Sequence, residues 1–176
     1  MREMRIEPIG VIHTPHARPA GTPIQPRMAE GIEGTVEVYE QFAPGLKDLN
    51  GFERIWLIYW LDRAPEARLV VRPFMDDTPR GLFACRAPCR PNPIGISCVR
   101  LLGVEGAVLR ISDVDMLDGT PLLDIKPYAP HFDAFEVGRC GWMDGAQRAR
   151  MAARGLERPV ADGRFEGEGE GGGEGA

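Results

Sequence analysis

Residues Arg54 to Leu61 read RIWLIYWL, an apolar run with a single charge at its start and no glycine or proline inside it. Apolar side chains occupy both alternations, so the run reads as a strand buried on both faces. Strand signals continue on either side. Arg5 to Thr14 carries Ile6, Ile9, Val11 and Ile12, and Gly34 to Tyr39 alternates Val36 and Val38 with polar partners. Leu69 to Arg72, Gly81 to Cys85, Ile96 to Val104 and Ala107 to Val114 follow as further short strands. The chain holds 22 glycines and 16 prolines, enough to supply a turn between each pair of strands. Many short strands separated by such turns predict an all-β sandwich or barrel. No strand–GxGxxG–helix unit occurs, which excludes a Rossmann dinucleotide-binding chain.

The 176 residues suit one domain with a sizeable core, and 43% hydrophobic against 27% charged residues is an ordinary globular balance. There is no apolar run near the roughly 18–20 residues of a membrane span, and Met1 to Glu7 contains no apolar signal-peptide block. The expectation is a cytoplasmic protein without a membrane partner. The organisation reads as a globular unit over 1–142, a helix and extension over 143–165, and a Gly/Glu tail over 166–176. Asp144 to Gly155 has an aspartate cap, an alanine-rich interior and a terminal glycine, as a helix requires. The tail EGEGEGGGEGA has almost nothing to bury and is expected to be disordered.

The net charge of −5 counts at first against a nucleic-acid partner. Four of the acids, Glu166, Glu168, Glu170 and Glu174, sit in the tail; without them 21 basic residues face 22 acidic ones. The basic residues also cluster. Arg80, Arg86, Arg90 and Arg100 flank one proline-rich segment, and Arg139, Arg148, Arg150, Arg154, Arg158 and Arg164 lie near the end. Arg90, Arg139, Arg148 and Arg150 are candidate phosphate contacts; as single residues they also read as solvated surface charge. The cysteines, Cys85, Cys89, Cys98 and Cys140, lack CxxC spacing and read as free thiols, with a pair at Cys85 and Cys89 as the alternative. No metal site is expected.

Two segments carry more chemistry than packing needs. In Gly81 to Ser97, GLFACRAPCRPNPIGIS, Pro91 and Pro93 hold Asn92 in an extended or turn geometry, and Gly95 permits close backbone approach. The segment is either a rigid loop that displays Arg90 and Asn92 to a ligand or a stiff connector between strands. In Asp113 to Tyr128, DVDMLDGTPLLDIKPY, Asp118-Gly119-Thr120-Pro121 is a turn signature. Asp113, Asp115, Asp118 and Asp124 bring four carboxylates together there, with Lys126 beside them. The calcium-loop spacing is only partial, and its closing Glu is missing. Hydrolase patterns are weak: the histidines are His13, His16 and His131, and Ser97 and Ser112 lack a G-x-S-x-G elbow.

At these segments the chain resembles the TrmO/TsaA-like family of S-adenosylmethionine-dependent methyltransferases. The resemblance rests on Ile9-Gly10-Val11-Ile12 with Pro15, Pro23, Gln25-Pro26, Phe52 and Trp56. It continues with Gly81-x-Phe83-Ala84-x-Arg86, Arg90-Pro91-Asn92-Pro93-Ile94-Gly95, Asp118-Gly119-Thr120-Pro121 and Asp124-Ile125-Lys126-Pro127-Tyr128. It covers about residues 6 to 130. The resemblance implies a single β-barrel, S-adenosyl-L-methionine as cofactor, a homodimer, and methylation of N6 of threonylcarbamoyladenosine beside the tRNA anticodon. It implies cofactor contacts from Pro23, Ile24, Gln25, Asp62, Arg63, Arg86, Ile96, and Asp115, Met116, Leu117 and Asp118. Ile24 stands where the family has arginine, and Asp62-Arg63 where it has His-Gln. Members with an additional C-terminal domain are longer than this chain.

A positively charged sulfonium makes its methyl carbon electrophilic, so placing a nucleophile in line and excluding water supplies much of the rate. Asp115 or Asp118 is the expected partner of the cation. Lys126, Tyr128 and Asn92 are the catalytic candidates, though Lys126 also reads as a simple partner of Asp124. Two other functions fit the same sequence: a barrel methyltransferase acting on a small molecule or another RNA, and a non-catalytic cofactor-binding module.

Overall fold

The computed structural model describes residues 5–74 and 76–144. The helix expected over Asp144 to Gly155, the tail, and Arg148 and Arg150 lie outside these residues, apart from Asp144 itself.

Eight strands are present among the described residues: β1 (Gly10–His13), β2 (Glu33–Val38), β3 (Arg54–Trp60), β4 (Val70–Val71), β5 (Arg80–Gly81), β6 (Ile94–Glu105), β7 (Val108–Ser112) and β8 (Thr120–Pro127). Six of them close into a barrel in the order β1-β2-β7-β6-β3-β8, with every neighbouring pair antiparallel. Closure leaves no unpaired sheet edge. β4 and β5 form a two-stranded ribbon outside the barrel. One short helix, α1 (Pro130–Asp133), follows β8. The expected all-β barrel is thus the architecture.

The side-chain period of two determines what fills the interior. Ile55, Leu57 and Tyr59 of β3 point inward, as do Ser97, Val99 and Leu101 of β6, and all are buried. Ile12, Val36, Val38, Leu109, Ile111 and Leu122 complete the same core. Complete burial of a Leu or Ile side chain is worth about 1.5–3 kcal/mol, so this cluster is the main source of stability. The opposite face of β3 corrects the reading of RIWLIYWL as doubly buried. Trp56 and Ile58 are half-buried and Trp60 is 45% exposed, because the barrel has one interior and no second layer among the described residues covers this strand.

Three other segments differ from expectation. The first strand is confined to Gly10–His13. Gly81 to Cys85 leaves β5 after one residue and turns into a 3-10 helix over Leu82–Ala84. β8 occupies a stretch whose reading stopped at its turn and its charges. Pro121, Asp124, Lys126 and Pro127 disguise the strand, yet Thr120 and Leu122 are fully inward. The pairing of β3 with β8 slips between Ile58, opposite Asp124, and Tyr59, opposite Leu122. Leu123 is the extra residue, as in a β-bulge.

A smaller buried cluster lies under the β4–β5 ribbon: Val71, Leu82, Cys85, Ala87 and Cys89, with Trp142 packed on it. Cys85 and Cys89 are free thiols serving as core residues there. The Trp142 indole N–H donates to the Ala84 carbonyl at 2.8 Å, and the Arg80 guanidinium sits 5.5 Å above its ring.

Candidate functional site

A cavity of about 600 Å3 opens where the end of β3 and the start of β6 meet the segments 19–28, 61–65, 85–90 and 115–117. That volume suits a small organic ligand. Each wall has an identifiable local cause.

The 113–119 loop leaves β7 through Asp113, which adopts a left-handed φ of 69°. Aspartate tolerates that region better than most residues, and here its carboxylate fixes the turn. It accepts from the Gly31 N–H at 2.9 Å and from Arg54 Nη2 at 2.8 Å. Burial works to raise the Asp113 carboxyl, but the Gly31 N–H and the Arg54 guanidinium outweigh it and the net direction is down. The far end of the loop is a turn in which Gly119 has φ 76° and the Thr120 N–H reaches back to the Leu117 carbonyl at 3.3 Å. The Asp118 carboxyl is held below its usual range, first by the Thr14 N–H at 3.1 Å and also by His13 at 3.3 Å. The loop is therefore anchored at both ends, with Asp115, Met116 and Leu117 facing the cavity.

Asp115 is the unusual group. Its Oδ1 accepts from Ser97 Oγ at 2.6 Å, and Ser97 Oγ lies 3.0 Å from the Tyr59 hydroxyl. Burial pushes the Asp115 carboxyl up to about 7, against the opposing Ser97 hydrogen bond, its own backbone N–H and the Arg86 charge. Burial, and then the neighbouring Asp115 charge, also push the Tyr59 hydroxyl up, so Tyr59 remains a neutral donor. Gly95 sits directly opposite Tyr59 in the β3–β6 pairing. A Cβ built there would lie within 2.8 Å of Tyr59 Cδ2 and closer still to Cε2 and Cζ. The glycine gives the ring its place.

On the other walls, Arg86 Nη1 donates to Gln25 Oε1 at 2.6 Å, and the Gln25 amide donates to the Ile24 carbonyl. Arg63 Nη2 donates to the Asp118 carbonyl at 2.7 Å, tying the 61–65 segment to the loop, while its Nε pairs with Asp62 at 3.4 Å. Arg90 lines the cavity too, but its Nη1 donates to the Cys85 carbonyl at 3.1 Å and its guanidinium lies 5.8 Å from the Phe83 ring.

The structure thus brings Pro23, Ile24, Gln25, Asp62, Arg63, Arg86, Ile96, Asp115, Met116 and Leu117 onto one cavity. Asp118 stands beside it, contributing its carbonyl to Arg63. The three catalytic candidates are not in the lining. Asn92 is exposed on its loop. Lys126 pairs with Asp124 at 2.8 Å. Tyr128 packs edge-on against Trp56, with ring centroids 5.8 Å apart. Arg139 is exposed after α1. Sequence reasoning passed over Tyr59 and Ser97. Both lie inside apolar strands, and only the pairing of β3 with β6 and the return of the loop put them beside Asp115.

Together these features define a closed β-barrel with a cavity of small-ligand size, lined by Asp115 and Arg86 among apolar residues. The profile of the tRNA-methyltransferase O N-terminal domain family matches residues 11–134, and the chain belongs to that family. It is 52% identical to a probable S-adenosyl-L-methionine-binding protein of Pyrococcus abyssi, over 90% of this chain and 83% of that protein. It is 31% identical to the tRNA (adenine(37)-N6)-methyltransferase of Escherichia coli, over 86% of this chain and 69% of that one. The crystal structure of TrmO from Pseudomonas aeruginosa matches with a TM-score of 0.68 at 33% identity, covering 90% of this chain and 77% of the other. The family is one of S-adenosyl-L-methionine-binding methyltransferases.

Proposed function

We propose that this chain binds S-adenosyl-L-methionine in the cavity and methylates N6 of an adenosine in tRNA, with threonylcarbamoyladenosine beside the anticodon as the acceptor. One observation carries the reading: a half-buried carboxylate, Asp115, and a guanidinium, Arg86, line the same cavity of about 600 Å3. A sulfonium cation that also carries an amino-acid end calls for an acidic and a basic partner. Arg86, already oriented by Gln25, offers its remaining N–H donors to a carboxylate. Met116, Leu117, Pro23 and Ile24 supply apolar surface for a purine. When bound, the cofactor supplies an electrophilic methyl carbon. The chain's own contribution is to orient it, exclude water and hold the acceptor in line.

Arg90 at the cavity and Arg139, Arg148 and Arg150 are proposed to meet the RNA backbone. Asn92, Lys126 and Tyr128 are proposed to touch the acceptor rather than the cofactor. Trp60 and Ile94 pair across β3 and β6, and Ile96 follows on the same outer face; the three are 45%, 41% and 49% exposed. This apolar patch, whose Ile94 and Ile96 also line the cavity, supports a homodimer. No helix among the described residues is long and apolar enough to cross a membrane, and a cytoplasmic site of action goes with a tRNA acceptor.

The deciding experiment incubates the protein with labelled cofactor and bulk tRNA from a strain lacking such an enzyme, then resolves the nucleosides by mass spectrometry. The expected product is N6-methylated threonylcarbamoyladenosine. Label in a different nucleoside would move the acceptor. Cofactor binding with no transfer to any RNA would leave a binding module.

A further inference from the structure

The hydrogen-bonded chain from Tyr59 through Ser97 to Asp115 is more than a binding wall requires. Tyr59 is 6% exposed and Ser97 1%, both inside an otherwise apolar barrel. An apolar residue at 97 would continue the inward row formed by Val99 and Leu101 without any polar atom to satisfy. Instead the barrel buries two hydroxyls, and among the described residues the one carboxylate they reach faces the cavity.

We propose that Asp115 accepts the proton that the acceptor nitrogen loses during methyl transfer, with Ser97 and Tyr59 as positioning residues that aim its carboxylate at the cavity. The proposal rests on the methyl-transfer reading above. In the step, the exocyclic nitrogen of the adenine forms a bond to the methyl carbon of the sulfonium donor as the carbon–sulfur bond breaks. The electron pair of that bond stays on sulfur, which becomes a neutral thioether. The nitrogen would then be cationic, and its N–H proton passes to the Asp115 carboxylate. No oxidant, metal or further reactant is needed.

The other carboxylates nearby are engaged elsewhere. Asp113 is turned toward Gly31 and Arg54, Asp118 toward Thr14 and His13, and Asp62 toward Arg63. The charged or titratable groups facing Asp115 are Arg86 from the 85–90 segment and Tyr59 from β3; from β6 the facing group is the neutral Ser97. The hydroxyl pair cannot pass the proton onward, because Tyr59 has no tendency to ionise there. The proton is held on Asp115 and leaves by the cavity. A carboxyl raised to about 7 has the basicity such a role asks for near neutral pH.

Three measurements on the full chain test this. Single-turnover transfer to tRNA is followed from pH 5 to 9, cofactor affinity is measured by calorimetry, and the Asp115 carboxyl is titrated by carbon-13 NMR in the cofactor-free protein. Wild-type transfer at subsaturating cofactor should rise with pH and level off above about 7, matching the NMR titration of the cofactor-free protein; at saturating cofactor the bound cation should move the limb to lower pH. Asp115→Asn, assayed at cofactor concentrations that saturate the variant, should transfer about 10²–10⁴ slower and lose the acid limb, a loss far larger than any in cofactor affinity. Ser97→Ala removes a hydrogen bond that favours the charged form, so it should move both the acid limb and the NMR midpoint to higher pH. Should Asp115→Asn not fold, the wild-type titration and the Ser97→Ala shift decide. Transfer by Asp115→Asn within fivefold of wild type overturns the proposal while leaving the methyltransferase intact. So does a loss of S-adenosylmethionine affinity as large as the loss of rate, with S-adenosylhomocysteine binding unchanged, because Asp115 would then only hold the cation. A wild-type protein that binds cofactor but transfers nothing would sink the methyl-transfer reading and this proposal with it.

Discussion

Replacing Gly95 by alanine pits two effects of opposite sign against each other. Gly95 does not have a positive φ, so alanine can adopt its backbone conformation. In open space the change would stabilise by about 0.4–1 kcal/mol by reducing the freedom of the unfolded chain. Here the added Cβ falls inside the Tyr59 ring, within 2.8 Å of Cδ2 and closer to two further ring atoms. Tyr59 is buried against the barrel core and has little room to retreat. Overpacking of this kind costs about 1–3 kcal/mol. Displacing the ring also breaks its hydrogen bond to Ser97, worth about 1 kcal/mol. The clash should prevail with a net loss of about 1–3 kcal/mol, which lowers the melting temperature by about 2–12 °C for a chain of this size. Thermal melts of wild type, Gly95→Ala, Tyr59→Leu and the double variant provide the assay. Tyr59→Leu should cost clearly less in the Gly95→Ala background than alone, because the smaller side chain relieves the clash. An unchanged or raised melting temperature for Gly95→Ala would refute the ring–glycine packing and the geometry of the site built on it.

Arg86→Ala should weaken S-adenosylmethionine binding about tenfold to a hundredfold in calorimetry, the cost of about 1.5–3 kcal/mol for a charge-assisted hydrogen bond; equal affinity would remove Arg86 from the site. Asn92→Ala, on an exposed loop, should leave the melting curve and cofactor affinity unchanged and lower single-turnover transfer at least about tenfold. Near-normal transfer would make the loop a connector. Asp115 affects stability in the opposite sense to an ordinary surface carboxylate. Its folded value of about 7 exceeds the ordinary value of 3.8, so between these values the unfolded chain ionises first. Wild type should lose stability relative to Asp115→Asn as pH rises from about 4 to 7, by up to about 4 kcal/mol, with no further change above that. A difference in urea-unfolding free energy that is flat over this range would show that the carboxyl is not perturbed.

Much of the barrel was legible because its signal is local. Alternation in Gly34 to Tyr39 and in Ile96 to Val104 appears as β2 and within β6, and the glycine and proline punctuation falls in the turns. RIWLIYWL announced a strand but not its outer surface, since an apolar face looks the same whether a second layer or a partner covers it or nothing does. β8 stayed hidden behind Pro121, Asp124 and Lys126. Its strand character comes from β1 and β3 on either side, and no local propensity records them. Similarly, Leu82–Ala84 tightens into a helical turn although its residue types suit a strand, because β5 finds only the two-residue β4 to pair with.

The residue types at the site divide the same way. Composition, the rigid Arg90 to Gly95 loop and the turn at Asp118 to Pro121 are properties of neighbours in sequence, so the sequence by itself determined the all-β class and the segments from which a site is built. The family resemblance, itself a property of the sequence, implied Arg86 and the Asp115 to Asp118 loop as cofactor contacts. Which of four clustered aspartates would line a cavity was not determined there. Asp113, Asp115, Asp118 and Asp124 are equivalent as letters. Only barrel closure gives Asp113 to Arg54, Asp118 to Thr14 and His13, Asp124 to Lys126, and Asp115 to Ser97. The physical reason is that burial and hydrogen-bond partners are supplied by strands distant in the chain: Tyr59 and Ser97 are 38 residues apart, and Ser97 and Asp115 18 apart. A carboxylate's chemistry follows from what surrounds it, and that surrounding exists only once the barrel has closed.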